Sequence, residues 1–311
     1  MGFSEEQVIQ LLAEVFHSDD PRILVGIGDD AALVQGRSRQ ILTTDIAVEG
    51  VHFRREWSSG YEIGKRIAAA NIADVLSMNG KTDYLLVAAT LTGDESIEWI
   101  GELARGIADQ ARAAGALVVG GDLSRSGTLS IAITAVGSTE KVVTRGGASV
   151  GESIYISSLT GWSAAGLAIL SSGKALDLPS ARYALQEFRA PTLDLGLDFS
   201  KASSMADVSD ALMVQGGQMA KESSVKFEID GELFAQSDEF QELRELADEV
   251  GVDPWSWILQ GGEDHVLLAT GHDLPGLRVG IVAAGSGITA TFAGGEIKMA
   301  PVAWSHFDKG N

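Results

Sequence analysis

Six acidic sites in this chain lie beside turns or strand ends, several of them next to glycines. They are Asp29-Asp30 in GIGDDAAL, Asp45 in TTDIAVEGVHF, Asp74 in NIADVLSMNG, Asp122 in GGDLSRSG, Asp207 and Asp210 in DVSDAL, and Glu263-Asp264 in GGEDH. Carboxylates in such settings suit hard divalent cations. Magnesium takes oxygen ligands in octahedral geometry, keeps some of its water, and is commonly held by one or two carboxylates together with phosphate oxygens. An adjacent glycine lets the backbone approach a ligand closely. Each motif taken alone also reads as ordinary turn or cap chemistry. The recurrence of six, with few lysines nearby, is what points to metal.

Other chemistries lack their motifs. No phosphate-binding G-x-x-x-x-G-K-[ST] loop occurs: Gly173-Lys174 is followed by Ala175, and Ala168 holds the earlier glycine position. Gly26, Gly28 and Ala31 match the loose dinucleotide pattern, but Asp29 and Asp30 inside it would face a pyrophosphate. There is no H-E-x-x-H and no G-x-S-x-G, and the five histidines are scattered. Without a loop lysine, bound phosphates need metal ions to neutralise them, which is the clamp logic of phosphoryl transfer.

The elements that position these residues follow from the hydrophobic pattern. Ser4 and Gln7 form a capping-box pattern ahead of a helix with Val8, Leu11, Leu12 and Val15 on one face. Strands are predicted at 41–46, 83–91, 116–119 and 129–137, with helices at 62–78 and 95–114 between them, so antiparallel pairing is plausible. A glycine-rich, aperiodic stretch at 138–152 separates this part from a second unit that starts with SIYISSL. That unit carries predicted helices at 162–171, 180–188, 211–223 and 238–250, and strands at 225–230, 265–270, 279–284 and 288–293. The division is residues 1–138 and 149–311.

Composition narrows the setting. The chain has 311 residues, 45% hydrophobic and 21% charged, enough for a large core without crosslinks. It has no cysteine, which removes disulfides, zinc-thiolate sites and thiol nucleophiles. A net charge of −20 disfavours a nucleic-acid partner. The acidic, amphipathic start is unlike a secretory signal, and apolar runs such as YLLVAATL are too short to span a membrane. The expectation is a cytoplasmic protein.

The segments GIGDDAALV, TTDIAVEGVHF, AANIADVLSMNG, GGDLSRSG, TRGGASVGE, TGWSAAGLAIL, DVSDAL and GGED occur, in this order, as in the thiamine-monophosphate kinases. They run from residue 26 to 264, and the final AWSHF also resembles that family's end. The wider superfamily includes aminoimidazole ribonucleotide synthetase, selenophosphate synthetase and a hydrogenase-maturation protein. The resemblance implies an α+β fold of two domains. The N-terminal one would be ferredoxin-like, its four-stranded sheet pairing with a second copy to form a barrel in a homodimer, and a larger α+β domain would follow. It implies transfer of the γ-phosphate of ATP to thiamine monophosphate with several magnesium ions. Carried over residue by residue, Asp30, Thr44, Asp45, Asp74, Asp122, Asp207 and Asp210 would bind magnesium. Gly121, Asp122, Arg145 and Ser209 would contact ATP, and His52, Glu263 and Trp304 would contact thiamine monophosphate. Asp45, Asp122, Asp207 and Arg145 would carry the catalytic electrostatics.

Bland readings stand beside these roles. His52 also reads as a strand-end hydrogen-bonding residue, Trp304 as core, and Glu263 as the residue before a strand. The chain departs from the family pattern at Ala211, where glycine is usual, at Gln215, at His265-Val266 in place of a tyrosine-acid pair, and around Arg189 and Pro191. These departures bear on the acceptor more than on metal or nucleotide. Two alternatives remain: another ATP-dependent ligase of the superfamily, and a non-catalytic nucleotide-binding relative.

Overall fold

The computed structural model describes residues 5–25, 32–36 and 39–299. Asp29, Asp30 and Trp304 lie outside the described residues. The first part comprises α1 (Glu5–Val15), the short antiparallel pair β1 (Ile23–Val25) and β2 (Leu33–Val34), then β3 (Gln40–Val48), α2 (Gly60–Ser77), β4 (Lys81–Leu91), α3 (Ile97–Ala113), β5 (Leu117–Arg125) and β6 (Ser130–Ser138). Helix α2 begins at Ser59, whose side chain and Glu62 close a reciprocal capping box.

Strands β3 to β6 form a four-stranded sheet in the order β3-β6-β4-β5. Alternation along β6 buries Ile131, Ile133 and Ala135 together with residues of α2 and α3 such as Ile67, Ile72 and Ile107. The opposite face leaves Leu42, Ile46 and Leu86 exposed at 66%, 57% and 39%. The ferredoxin-like expectation needs correction. The element order is β-α-β-α-β-β, and β4 pairs with β5 in parallel, because the 17-residue α3 carries the chain back across the sheet before β5 starts.

Residues 139–152 connect the sheets without a strand or helix. The second part contains β7 (Ser153–Ile156), α4 (Trp162–Ser172), α5 (Pro179–Arg189), β8 (Ser204–Asp207), α6 (Leu212–Glu222), β9 (Lys226–Asp230), α7 (Gly231–Phe234), α8 (Asp238–Val250), α9 (Pro254–Gln260), β10 (Leu267–Gly271), β11 (Leu277–Ala283), β12 (Gly287–Phe292) and β13 (Gly295–Glu296). Its seven-stranded sheet runs β13-β12-β9-β11-β7-β10-β8. Ile154, Ile156, Phe227 and Leu268 from its strands pack with Leu212, Met219, Leu243 and Ile258 from the helices.

The edge strand β8 and its neighbour β10 lie against α2, so the two sheets meet along that helix. Helix α5 adds further ties: Arg189 Nε donates to the Trp57 carbonyl at 2.7 Å, and the Trp57 and Phe188 rings meet edge to face.

Candidate active site

Three carboxylates from distant parts of the chain meet where the sheets join. Asp45 lies in β3, and its backbone N–H donates to Asn71 Oδ1 at 3.1 Å. Asn71 and Asp74 are three residues apart on α2, so they share a face of that helix. Thr43, two residues before Asp45 and on the same side of β3, donates from its hydroxyl to Asp74 Oδ2 at 2.6 Å. Asp207 ends β8 and is 3% exposed.

The electrostatics of this group are strained. Burial raises the Asp45 carboxyl, and Asp207 adds to the shift against the opposing pull of His265. Burial, then the charge of Asp207, pushes Asp74 up to about 6. Carboxylates that resist ionisation together are short of positive charge. An all-oxygen set of this kind fits magnesium in donor chemistry. Among the described residues no three acidic or histidine side chains are already drawn to metal-ligating distance.

The GGED turn faces these carboxylates and is clipped to the DVSD segment. Glu263 N–H donates to Ser209 O at 2.6 Å, and His265 N–H donates to Val208 O at 3.0 Å. Gly262 is required here, since a Cβ would strike the carbonyls of Ser209 and Asp210. Glu263 and His265 both adopt left-handed backbone, with φ of 65° and 53°. The Glu263 carboxylate receives Arg66 Nη2 at 3.0 Å. Arg66 is itself buried in α2, lies over the Phe188 ring at 4.5 Å and donates to the Phe188 carbonyl. Burial alone would lift the Glu263 carboxyl, but Arg66 and His265 hold it well below the usual carboxylate range. His265 opposes its own burial through Asp207 and Glu263, which push it up to about 10.

Asp264 turns the other way. It accepts from the backbone N–H groups of Gly161 at 2.7 Å and Ser163 at 2.9 Å, capping α4 from a distance. Burial pushes it up to about 6 in spite of those two donors. Its work is structural.

Residues 28–139 match the family model described as AIR synthase related protein, N-terminal domain. The thiamine-monophosphate kinase of Corynebacterium glutamicum is 35% identical over 78% of this chain and 76% of its own length. That of Aquifex aeolicus is 32% identical over 90% of this chain and 92% of its own. The chain belongs to the thiamine-monophosphate kinase family. A solved structure of AaThiL complexed with AMPPCP and TMP superposes with a TM-score of 0.78 at 31% identity, covering 97% of both chains.

Of the residues carried over from the thiamine-monophosphate kinases, one chain brings together Asp45, Asp74, Asp207 and Glu263. Ser209 and Asp210 stand at the adjoining turn, where Gln215 Nε2 donates to Asp210 Oδ2 at 3.1 Å. Gln215 also accepts the Ala211 N–H at 2.9 Å and so satisfies the start of α6. Ala211 has a φ of −173°, so alanine needs no strained backbone in the place where glycine is usual. His52 Nδ1 accepts the Val48 N–H at 3.1 Å, which puts the proton of a neutral ring on Nε2.

Other residues stand apart. Thr44 is turned to the outer sheet face, where it donates to Ile133 O and accepts from Thr134. Asp122 lies on the far edge strand, β5, opposite Ala88. Three strand spacings of ~4.8 Å put it roughly 14 Å across the sheet from Asp45, on the other face. Gly121 has a packing reason for being glycine, because a Cβ would strike the Val87 carbonyl. Arg145 Nη1 donates to Gln218 Oε1 at 2.7 Å beside a cavity of about 470 Å³ lined by Thr144, Gly146 and Glu222.

Sequence reasoning missed Thr43, Arg66, Asn71 and the role of His265. Arg66 had a readable signal, as a cation within the alanine-rich apolar run of α2. Asn71 and Thr43 had none beyond their nearness to Asp74 and Asp45.

Proposed function

We propose that this chain is a thiamine-monophosphate kinase that transfers the γ-phosphate of ATP to the phosphate of thiamine monophosphate by direct in-line attack. The observation that carries the reading is the convergence of Asp45, Asp74 and Asp207 from β3, α2 and β8 on the GGED turn, in a chain whose relatives bear that name. The acceptor is a phosphate monoester with a second pKa near about 6, so it is largely ionised at neutral pH and needs no general base. The obstacle is the repulsion between two anions.

Asp45, Asp74 and Asp207 would hold magnesium, with Asp30 and Asp210 as further ligands; Thr44 and Asp122, which lie on the outer sheet face, would reach an ion only across a dimer. The bound ions supply charge neutralisation and alignment of the phosphates. Thr43 orients the Asp74 carboxylate, and Asn71 fixes the backbone at Asp45. Ser209, Gly121 and Arg145 are assigned to ATP, the last by its fork of donors. Glu263, His52 and Trp304 are assigned to the acceptor.

A homodimer fits the exposed apolar face that Leu42, Ile46 and Leu86 present. It also offers Asp122 a route to the phosphates of a second copy. Mixing inactive Asp45→Asn and Asp122→Asn chains would then restore part of the activity, whereas no recovery would place Asp122 in its own chain's site. A division into domains at 1–138 and 149–311 follows the two sheets. No helix among the described residues is long and apolar enough to cross a membrane, in keeping with a cytoplasmic enzyme.

The test is ADP release with magnesium, offering thiamine monophosphate, free thiamine and aminoimidazole precursors in turn. Turnover confined to thiamine monophosphate is expected. Turnover with another acceptor would favour a related ligase, and binding of ATP without turnover would favour a non-catalytic role.

A further inference from the structure

His265 occupies a position that packing does not explain. It is 5% exposed, yet neither ring nitrogen has a partner at hydrogen-bond distance. Instead Nδ1 stands 3.5 Å from Asp207 Oδ2, and Nε2 stands 3.7 Å from Glu263 Oε2. Both gaps are in the range of an ion pair and longer than the ~3.2 Å limit of a tight N–H···O bond. The ring therefore sits between two carboxylates from separate segments, one ending β8 and one in the GGED turn. Its backbone is pinned by the bond to Val208 O and held at a φ of 53°, a left-handed conformation in which histidine is enriched among side-chain-bearing residues. The same Glu263 oxygen receives Arg66, so Asp207, His265, Glu263 and Arg66 form one continuous chain of contacts.

We infer that His265 is a positioning residue that links the metal side of the site to the acceptor side. One ring nitrogen faces Oδ2 of Asp207, which would leave Oδ1 for a cation. The other faces Oε2 of Glu263, which leaves Oε1 for the acceptor. This rests on the roles given above to Asp207 and Glu263. It adds that those two carboxylates are set by one side chain and are not independent.

The two arms can be separated by side-chain length. In His265→Asn the amide nitrogen takes the place of Nδ1, keeping the Asp207 arm and losing the Glu263 arm. In His265→Gln the amide nitrogen reaches toward the place of Nε2 and does the reverse. The readouts are calorimetric titration of the nucleotide-free protein with thiamine monophosphate, and the rise in melting temperature as magnesium is added to chelator-treated protein. His265→Asn is expected to weaken thiamine monophosphate about tenfold, the scale of one lost contact to a partly buried charge, with the magnesium response within about twofold of wild type. His265→Gln is expected to raise the magnesium concentration for half the thermal shift about tenfold, with thiamine monophosphate binding nearly unchanged. In turnover the same split appears as a change in KM for the acceptor in one variant and in magnesium requirement in the other.

Two variants that match wild type in both readouts overturn the inference. So do variants in which both responses fall together, as simple packing damage would cause, or a reversed pattern. If one variant does not fold, the other decides: one arm lost alone supports the link, and both lost together overturn it. A wild-type protein that does not turn over thiamine monophosphate would count against the kinase reading. The magnesium response of His265→Gln would still report on the Asp207 arm.

Discussion

The two sides of the junction solve opposite electrostatic problems. On the GGED side, charges are matched: Arg66 and His265 flank Glu263 and hold it ionised. On the other side, Asp45, Asp74 and Asp207 share little positive charge beyond His265, and burial makes ionisation of the first two harder. A matched set is complete in the protein alone. An unmatched set of oxygen donors calls for cations from solution. The difference teaches that the GGED side is preorganised by the chain, whereas the three-aspartate side, under the proposed function, would be completed by metal.

The largest effect expected from breaking this contrast is on the unmatched side. Asp45→Asn and Asp207→Asn should each reduce ADP release with thiamine monophosphate by at least about a hundredfold, the size typical of losing a key electrostatic stabiliser. Near-normal turnover in both would contradict the assignment. On the matched side, Arg66→Met should instead act through stability and acceptor binding. It leaves the Glu263 carboxylate without its 3.0 Å partner, and since that carboxylate is 43% exposed the cost should be about 1–2 kcal/mol, less than for a fully buried pair. Denaturant unfolding checks the first part. An unchanged midpoint would show that Arg66 does not hold the turn.

The smaller, sharper test is pH. In metal-free protein Asp74 titrates near about 6 rather than 3.8, and Asp264 near about 6 as well. Between those values the folded state binds protons that the unfolded state has released, so stability falls as pH rises through that window. Asp74→Asn should remove part of the slope. His265, raised to about 10 from 6.5, contributes stability that is fully present below 6.5 and is lost as pH rises through about 10. His265→Asn should flatten that upper window. Melting temperatures measured in chelator check both, and flat profiles in the wild type would contradict them.

Much of this architecture was legible. The periodic segments that became α2, α3, α6 and α8, and the runs that became β3, β4 and β6, stand near their predicted places. Asp45, Asp74, Asp207 and Glu263 were picked out by their neighbours in sequence. Strand β8, which delivers Asp207, was not foreseen, because Ser204–Asp207 is four residues long and buried on both faces, so no alternation marks it. Helix α9 was missed too, although Asp253 caps it and Pro254 opens it, because its short run of aromatic residues reads equally as core. The parallel pairing of β5 depends on which edge the chain returns to after α3, which local pattern does not record. The linkage of Arg66 to Glu263 spans 197 residues and is a property of the folded chain alone.

The claim beneath all of this is that Asp45, Asp74 and Asp207 bind divalent cations as a group. Electron paramagnetic resonance of Mn2+ titrated into nucleotide-free protein tests it directly, since bound ion disappears from the free-ion signal. Wild-type protein is expected to deplete that signal, and Asp74→Asn and Asp207→Asn each to restore most of it while remaining folded. Equal depletion by all three proteins would contradict the account.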